Sequence, residues 1–559
     1  MTVQTFTESR KRLAYAVIFT CAFLTLAWQF IHPGYYNVYY QDAAMLPKYV
    51  LEFKESFRQG IFYPRWMADD VWGYGSPVFV LYSPLLYFIA SVVSYSNIGL
   101  PLIISTINLA VLCIGGIFLF RFLKDEYGYR AALIAAIFYV TLPSRVYEIY
   151  FLNTPAGRFG EVFLPMALFF ARKVKYEPFK RANFTGLAFS YSGLVISHLA
   201  TAFLFTPFLL AYVFVTGGRK TRTRVILQTG LALGTGLLLS SFFFLPVLLE
   251  RALVQINYLS TIEVYQYWRH LVFTGPPRFR GKYLDMVYLG LKTKLMVEAG
   301  LLLAIVTIIQ VRQRSRPNRE TYFFLTSVIF CLFMMSFLSG FLWENIPALK
   351  VIVFPTRFLP VYLVFMPAML GIAADSLLGL ATRPRLITVL HIALLTLVPL
   401  SNIDLMSVLP KLADKYVMTF IHDADFQLEY LPKGVYIHGL DALETYPRIS
   451  SHEQFKADVA RWGYVDRSFN ISAPHGARLR VKTFYFPGWK AWVDDDEIPI
   501  SVEGSSGAML LDVPAGRHYV RLRFMDTPPR AWGKAISLIT LVALVLPYGA
   551  VRRRRHINP

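Results

Sequence analysis

Long apolar runs separated by short basic segments set the pattern of this chain. Runs of membrane length fall near residues 13–30, 101–121, 131–149, 161–174, 184–200, 201–216, 225–247, 297–312, 321–343, 358–379, 385–402 and 533–551. A run of about 20 apolar residues suits a helix crossing the hydrocarbon core of a bilayer. The pattern therefore predicts a mainly α polytopic membrane protein of about twelve transmembrane helices. Basic clusters mark the inner loops: Arg121/Lys124/Arg130, Arg172/Lys173/Lys175, Arg219/Lys220/Arg222/Arg224, Arg312/Arg314/Arg316/Arg319, Arg383/Arg385 and Arg552 to Arg555. Positive charge stays on the cytoplasmic side, so both termini are expected there, in the cytoplasmic (inner or plasma) membrane. A further apolar segment, Val78 to Tyr95, would flip every later cluster outward if it crossed. It is expected to lie at the outer surface or to dip in and return.

This topology places four regions on the outer face: residues 31–100, Tyr150 to Glu161, Glu250 to Met296, and Trp343 to Arg357. The pattern then changes. Between 406 and 530 the period shortens to two, as in Tyr519-Val520-Arg521-Leu522-Arg523-Phe524, and Pro487-Gly488 and Pro514-Ala515-Gly516 supply turns. An extracytoplasmic antiparallel β-sandwich is expected there. The organisation is thus a transmembrane domain over 1–405 whose outer loop 31–100 carries surface helices, a β-rich domain over 406–530, and a final helix with a basic tail over 531–559.

Composition agrees. The chain is 55% hydrophobic and 16% aromatic, with mean hydropathy +0.45. Its formal charge of +21 gathers in short loops, which points to membrane topology and away from nucleic acid. Cys21, Cys113 and Cys331 all fall in apolar runs, so no disulfide framework is expected. The first run lacks a small-residue cleavage site and reads as a retained anchor.

The outer regions hold the candidate chemistry. Asp42 precedes a stretch in which Leu46, Val50, Phe53 and Phe57 recur at helical spacing, with Pro47 placed to open the helix. It reads either as a helix N-cap or as a carboxylate that takes a proton from an attacking hydroxyl. Asp69 and Asp70 before Gly73-Tyr74-Gly75-Ser76-Pro77 are solvated loop acids or oxygen ligands for a divalent cation. Arg158 and Glu161 are a local ion pair or Glu161 is an acid at a helix N-terminus, or Arg158 binds a phosphate that Glu161 helps to position. His198, near the outer end of its span, is a functional residue or an interhelical hydrogen-bonding group. The loop 250–296 mixes Arg278, Arg280 and other cations with Tyr265, Trp268 and Phe279, fitting a phosphate-bearing lipid or anionic membrane lipids generally. Arg357 stands where a span begins. No phosphate-binding glycine loop, HExxH, paired CxxC or GxSxG occurs, which removes nucleotide hydrolysis, zinc proteolysis and serine esterase chemistry.

Several motifs taken together resemble a family. They are an acid in the first outer loop, Gly60 to Trp66 (G-x-x-Y-P-R-W), Gly73 to Pro77, Tyr82 to Tyr87, Arg158 with Glu161, Ser197-His198-Leu199, Phe354-Pro355-Thr356-Arg357-Phe358, and Tyr485-Phe486-Pro487-Gly488-Trp489 with Val513 to His518. The pattern is similar to the GT-C-type membrane glycosyltransferases. Within them it resembles the bacterial and archaeal subgroup labelled membrane protein, 6-pyruvoyl-tetrahydropterin synthase-related. The C-terminal motifs also resemble bacterial proteins proposed to glycosylate lipoteichoic acid. No histidine zinc site for pterin chemistry is present. The resemblance implies sugar transfer from a polyprenyl-phosphate donor to a glycan, lipid or protein acceptor on the outer face, with Asp42 as general base. Members of the group often carry histidine around that acid, where this chain has Gln41 and Leu46.

The expected reaction is an inverting displacement in which Arg158, Arg357 and Arg278 or Arg280 stabilise the departing lipid phosphate. The rival is a transporter or flippase for a lipid-linked glycan, which would carry ionisable residues within its spans. A third reading is an inactive glycan-assembly scaffold.

Overall fold

In the computed structural model the chain is described apart from residues 1–2, 37–41, 179, 257, 259–261, 263–265, 274–281, 313–317, 380–410, 413–426, 437–439, 441–442, 505 and 556–559. It divides into two compact units. The first comprises Met1–Leu46, Val93–Leu237 and Ile262–Ile421, and the second Pro47–Val92, Leu238–Thr261 and His422–Pro559. Residues Pro47–Val92, which the sequence pattern groups with 1–405, thus share a unit with the C-terminal strands.

The first unit is helical. Among the described residues of the whole chain, five helical segments are long and apolar enough to cross a membrane: Glu8–Ile31, Leu100–Leu152, Leu199–Thr216, Pro355–Leu378 and Pro528–Leu546. Arg222–Leu239 with Ser241–Leu253 adds a sixth if taken as one span. The difference from twelve has identifiable sources. Inside Leu100–Thr141, Gly128 takes φ 84° and ψ 172° and interrupts the helix. A Cβ on Gly115 would lie 2.5 Å from the Tyr139 hydroxyl, whereas 24 residues of straight helix would hold these positions about 36 Å apart. The helix therefore folds back at Gly128, and its two arms occupy the runs 101–121 and 131–149. Phe163–Tyr176 has only 14 residues and Arg319–Met334 only 16. The run 385–402 lies outside the described residues.

Asp42–Arg58 is a helix with Pro47 inside it, and its residues from Pro47 onward belong to the second unit. The helix does not open at Pro47 as expected; Asp42 is its first residue, the adjoining position to an N-cap. The segment Val78 to Tyr95 breaks at Ser83-Pro84 into Val78–Leu81 and Leu85–Val93. Nine helical residues extend about 14 Å, half of a hydrocarbon core. These pieces pack on the preceding helix instead. Tyr49 meets the rings of Phe79 and Tyr87 at 5.0 and 5.1 Å, and Ser91 donates to the Val50 carbonyl at 2.8 Å.

Two antiparallel sheets follow. One runs Ile449–Ser450, Ala477–Phe484, Ala508–Val513, Ser501–Val502; the other Lys456–Trp462, Asp466–Ala473, Gly516–Phe524, Trp489–Val493, Asp496–Ile498. Alternation sends Phe469, Leu479, Val481, Met509, Leu511, Val520 and Leu522 into a single buried core. Asp494 and Asp495, both at positive φ, form the two-residue tip of the hairpin between Trp489–Val493 and Asp496–Ile498.

The glycine-rich loop belongs to that same core. Trp66 is fully buried, 5.6 Å from Trp489 and 5.3 Å from Phe524. Gly75 must be glycine, because a Cβ would sit 2.3 Å from the Trp66 indole nitrogen. Tyr74 stacks on Phe484 at 4.8 Å, and its hydroxyl accepts from Arg480 at 2.6 Å. Gly73-Tyr74-Gly75-Ser76-Pro77 is therefore a packing device that clamps the loop to the strands. Arg530 at the start of the last helix is fully buried and donates to Glu250 and to the Pro487 carbonyl, each at 2.9 Å.

Candidate functional site

In the first unit, four charged side chains gather where Pro143–Tyr147 and Pro155–Gly160 meet the helices around them. Arg145, Glu148, Arg158 and Glu161 are each no more than 2% exposed. Glu161 is bound by Arg145, so of the readings open for it the local ion pair with Arg158 is not the one formed. Arg145 also lies 3.9 Å from Glu148, caps the Tyr139 ring at 4.7 Å and reaches the Leu363 carbonyl at 3.5 Å. Arg158 donates to the Ile149 carbonyl at 2.9 Å and to Asn153 Oδ1 at 2.6 Å, while its Nε has no hydrogen-bond partner among the described residues.

His198 interrupts two helices, ending Arg181–Ser197 and capping Leu199–Thr216. Its Nδ1 is 2.7 Å from Thr201 Oγ1 and accepts the Thr201 amide at 3.3 Å. A Cβ on Gly160 would sit 3.4 Å from the His198 Cβ, so the helix that carries Arg158 lies directly against this histidine. Leu199–Thr216 packs in turn on the short helix Pro355–Phe358, and the charge of Arg357 acts on His198. Arg357 is half-buried, donates to the Ile352 carbonyl and lies 5.1 Å from the Phe354 ring. Just before it, Val353 takes φ 64°, a conformation that costs a β-branched residue energy and clusters at functional sites. The helix that carries Arg158 and the charge of Arg357 thus both bear on His198, although 199 residues separate the two arginines. Two cations and two carboxylates balance in the buried quartet.

The remaining candidates stand elsewhere. Asp42 opens its helix, but its side chain lies outside the described residues, as do Arg278 and Arg280. In the second unit, Asp70 is buried, receives Lys48 Nζ at 2.6 Å and is bound by Ser76. Asp69 accepts from the Tyr464 hydroxyl at 2.6 Å. Among the described residues no group of three or more His, Cys, Asp or Glu is placed to hold a metal ion.

Sequence reasoning passed over Arg145 and Glu148, three residues apart inside an apolar run, which is itself the signal that could have found them. It also passed over Glu298. That carboxylate is 2% exposed and accepts from Ser144 N at 2.7 Å, Ser144 Oγ at 2.8 Å and the Tyr362 hydroxyl at 2.8 Å.

Glu52 gives a pH-dependent prediction. Burial pushes its carboxyl well above the ordinary range, and Asp69 and Asp70 push it further. The folded state then holds a proton that the unfolded chain releases above about pH 4.5, so this group's contribution to stability falls as pH rises from there, by at most about 1.4 kcal/mol per pH unit. Glu52→Gln, which mimics the protonated form, is expected to match the wild type at pH 4 and to be increasingly more stable above it. Melting temperatures of both proteins across pH 4–8 check this.

These features define a mainly helical membrane protein with several membrane-length apolar helices and a C-terminal β-sheet region. No family model matches the chain. An uncharacterized protein of Lactococcus lactis subsp. cremoris is 26% identical over 208 residues, covering 36% of this chain and 34% of that one. Among solved structures, the apo oligosaccharyltransferase of Archaeoglobus fulgidus is similar with TM-score 0.40 and 13% identity, over 78% of this chain and 58% of that one. The oligosaccharyltransferase AglB of the same organism, in complex with an inhibitory peptide and a dolichol-phosphate, gives TM-score 0.40, 14% identity and the same coverage. The chain thus spans less than two thirds of the length of each.

Proposed function

We propose that this protein transfers a sugar from a polyprenyl-phosphate donor to a glycan, lipid or protein acceptor of the cell envelope, at the outer face of the cytoplasmic membrane. The observation that carries the reading is the placement of the Arg158 helix and of the Arg357 charge about His198, at the ends of apolar helices. Arg158 is 1% exposed and its Nε has no hydrogen-bond partner among the described residues, and a lipid phosphate would supply that partner. The acceptor hydroxyl attacks the anomeric carbon and passes its proton to Asp42. The bond from that carbon to phosphate oxygen breaks, and the polyprenyl phosphate leaves with the electron pair. One displacement inverts the configuration. Arg278 or Arg280 would assist at the phosphate.

Membranes containing the protein, supplied with a polyprenyl-phosphate-linked radiolabelled sugar, should move label into an acceptor with inverted linkage. Arg357→Ala is expected to lower that rate by about 10²–10³-fold. Label that stays on the lipid carrier in all cases would overturn the reading.

A second reading, a transporter of a lipid-linked glycan, is favoured by one observation: Glu298 and the Arg145–Glu161 pair are buried among apolar helices, as ionisable groups on transport pathways are. In the same membranes it predicts that labelled lipid changes leaflet without transfer.

A further inference from the structure

A cavity of about 230 Å³ opens in the second unit between the glycine-rich loop and the edge of the strands. Its wall carries Arg448, Arg467 and Lys482 with Trp72, Trp462 and Tyr464, and Asp69 is the only carboxylate among its lining residues. The three cations have no carboxylate partner within ion-pair distance among the described residues: Lys482 Nζ donates to the Glu444 carbonyl at 3.0 Å, and Arg467 donates to the Lys482 carbonyl at 2.9 Å. Arg467 is 1% exposed, and its Nε has no hydrogen-bond partner among the described residues. Its guanidinium lies 4.6 Å from the Trp462 ring and that of Arg448 5.5 Å from the same ring.

We propose that this cavity binds an anionic saccharide, a sugar bearing a carboxylate or a phosphate. The identity of that sugar as part of the acceptor rests on the transferase reading above; the binding does not. The chemistry matches part by part. Indole faces suit the apolar face of a pyranose ring. Arg448 and Lys482 supply charge-assisted donors for the anionic group, and Asp69 accepts from sugar hydroxyls. A volume of this size admits one monosaccharide unit, so a longer glycan would enter by a terminal or flexed residue. Two further observations point the same way. Val71 and Trp72 take φ 46° and 57°, left-handed conformations that these residue types rarely adopt, and this strain holds the Trp72 ring at the cavity. Burial lowers Arg467 to about 9, Asp69 acting against the shift and Arg448 adding to it; a bound anion would remove that penalty.

The test titrates the purified full chain in detergent with trigalacturonate, glucose 6-phosphate and neutral maltotriose. At least one anionic probe should bind about tenfold or more tightly than maltotriose, with affinity falling as salt rises. The tighter anion identifies the carboxylate or the phosphate as the recognised group. Arg448→Ala, at an exposed position, and Lys482→Gln should each weaken binding about tenfold without lowering the melting temperature. Anionic probes that bind no better than maltotriose, or binding unchanged in both variants, would overturn the proposal. The two readings fail separately. Binding retained in a chain that transfers no sugar leaves the cavity standing and removes the transferase, whereas transfer by a chain that binds neither anion removes the cavity alone.

Discussion

Arg145→Met should destabilise the helical unit by about 3–5 kcal/mol, the cost of leaving a buried charge unmatched. Arg145 and Glu161 are each 1% exposed, so neither can be hydrated when the other is removed. The loss goes beyond one pair, because Arg145 also donates to the carbonyls of Tyr139 and Leu363 and so ties Pro143–Tyr147 to the helix Leu359–Gly379. Pairing Arg145→Met with Glu161→Leu removes both charges and should recover a large part of the loss, a coupling that a double-mutant cycle measures directly. Thermal unfolding of the purified variants in one detergent is the readout. Equal melting temperatures for the wild type and Arg145→Met would show that this pair does not hold the unit together.

Asp42→Asn should cut sugar transfer by about 10²–10⁴-fold, the usual worth of a positioned general base. The amide keeps the size and the hydrogen-bond acceptor of the carboxylate at the start of Asp42–Arg58, so the helix and the binding of the donor should survive. What disappears is the ability to take the proton. Initial rates at saturating donor check this, and a fall in kcat without a rise in KM separates a lost base from a lost contact. An unchanged kcat would remove Asp42 from the chemistry.

The sequence makes some of this fold readable and hides the rest for physical reasons. Apolar runs announce helices because burial in lipid or core demands them, and two-residue alternation announces Ala477–Phe484, Ala508–Val513 and Gly516–Phe524. The break between the runs 101–121 and 131–149 is legible in the cluster Arg121/Lys124/Arg130, but hydropathy does not reveal that Gly128, at positive φ, is where the chain folds back. Nor does it reveal that Trp66 and Tyr74 belong to the core of strands some 400 residues later, because nothing local to either stretch encodes its partner. At the site, Arg158, His198 and Arg357 stand out as polar residues at the edges of apolar runs. Arg145 lies inside such a run, where a window average drowns a single charge. For Glu161, three residues of separation allow Arg158 as a partner, but the fold brings Arg145 to it instead.

Envelope glycans tested by mass spectrometry bear on the central claim most directly. Three strains are compared: one lacking this protein, the same strain carrying the wild-type chain, and the same strain carrying Asp42→Asn. Sugar transfer through Asp42 predicts a glycan in the wild-type strain that lacks one sugar unit in the other two. Identical glycans in all three strains would contradict it.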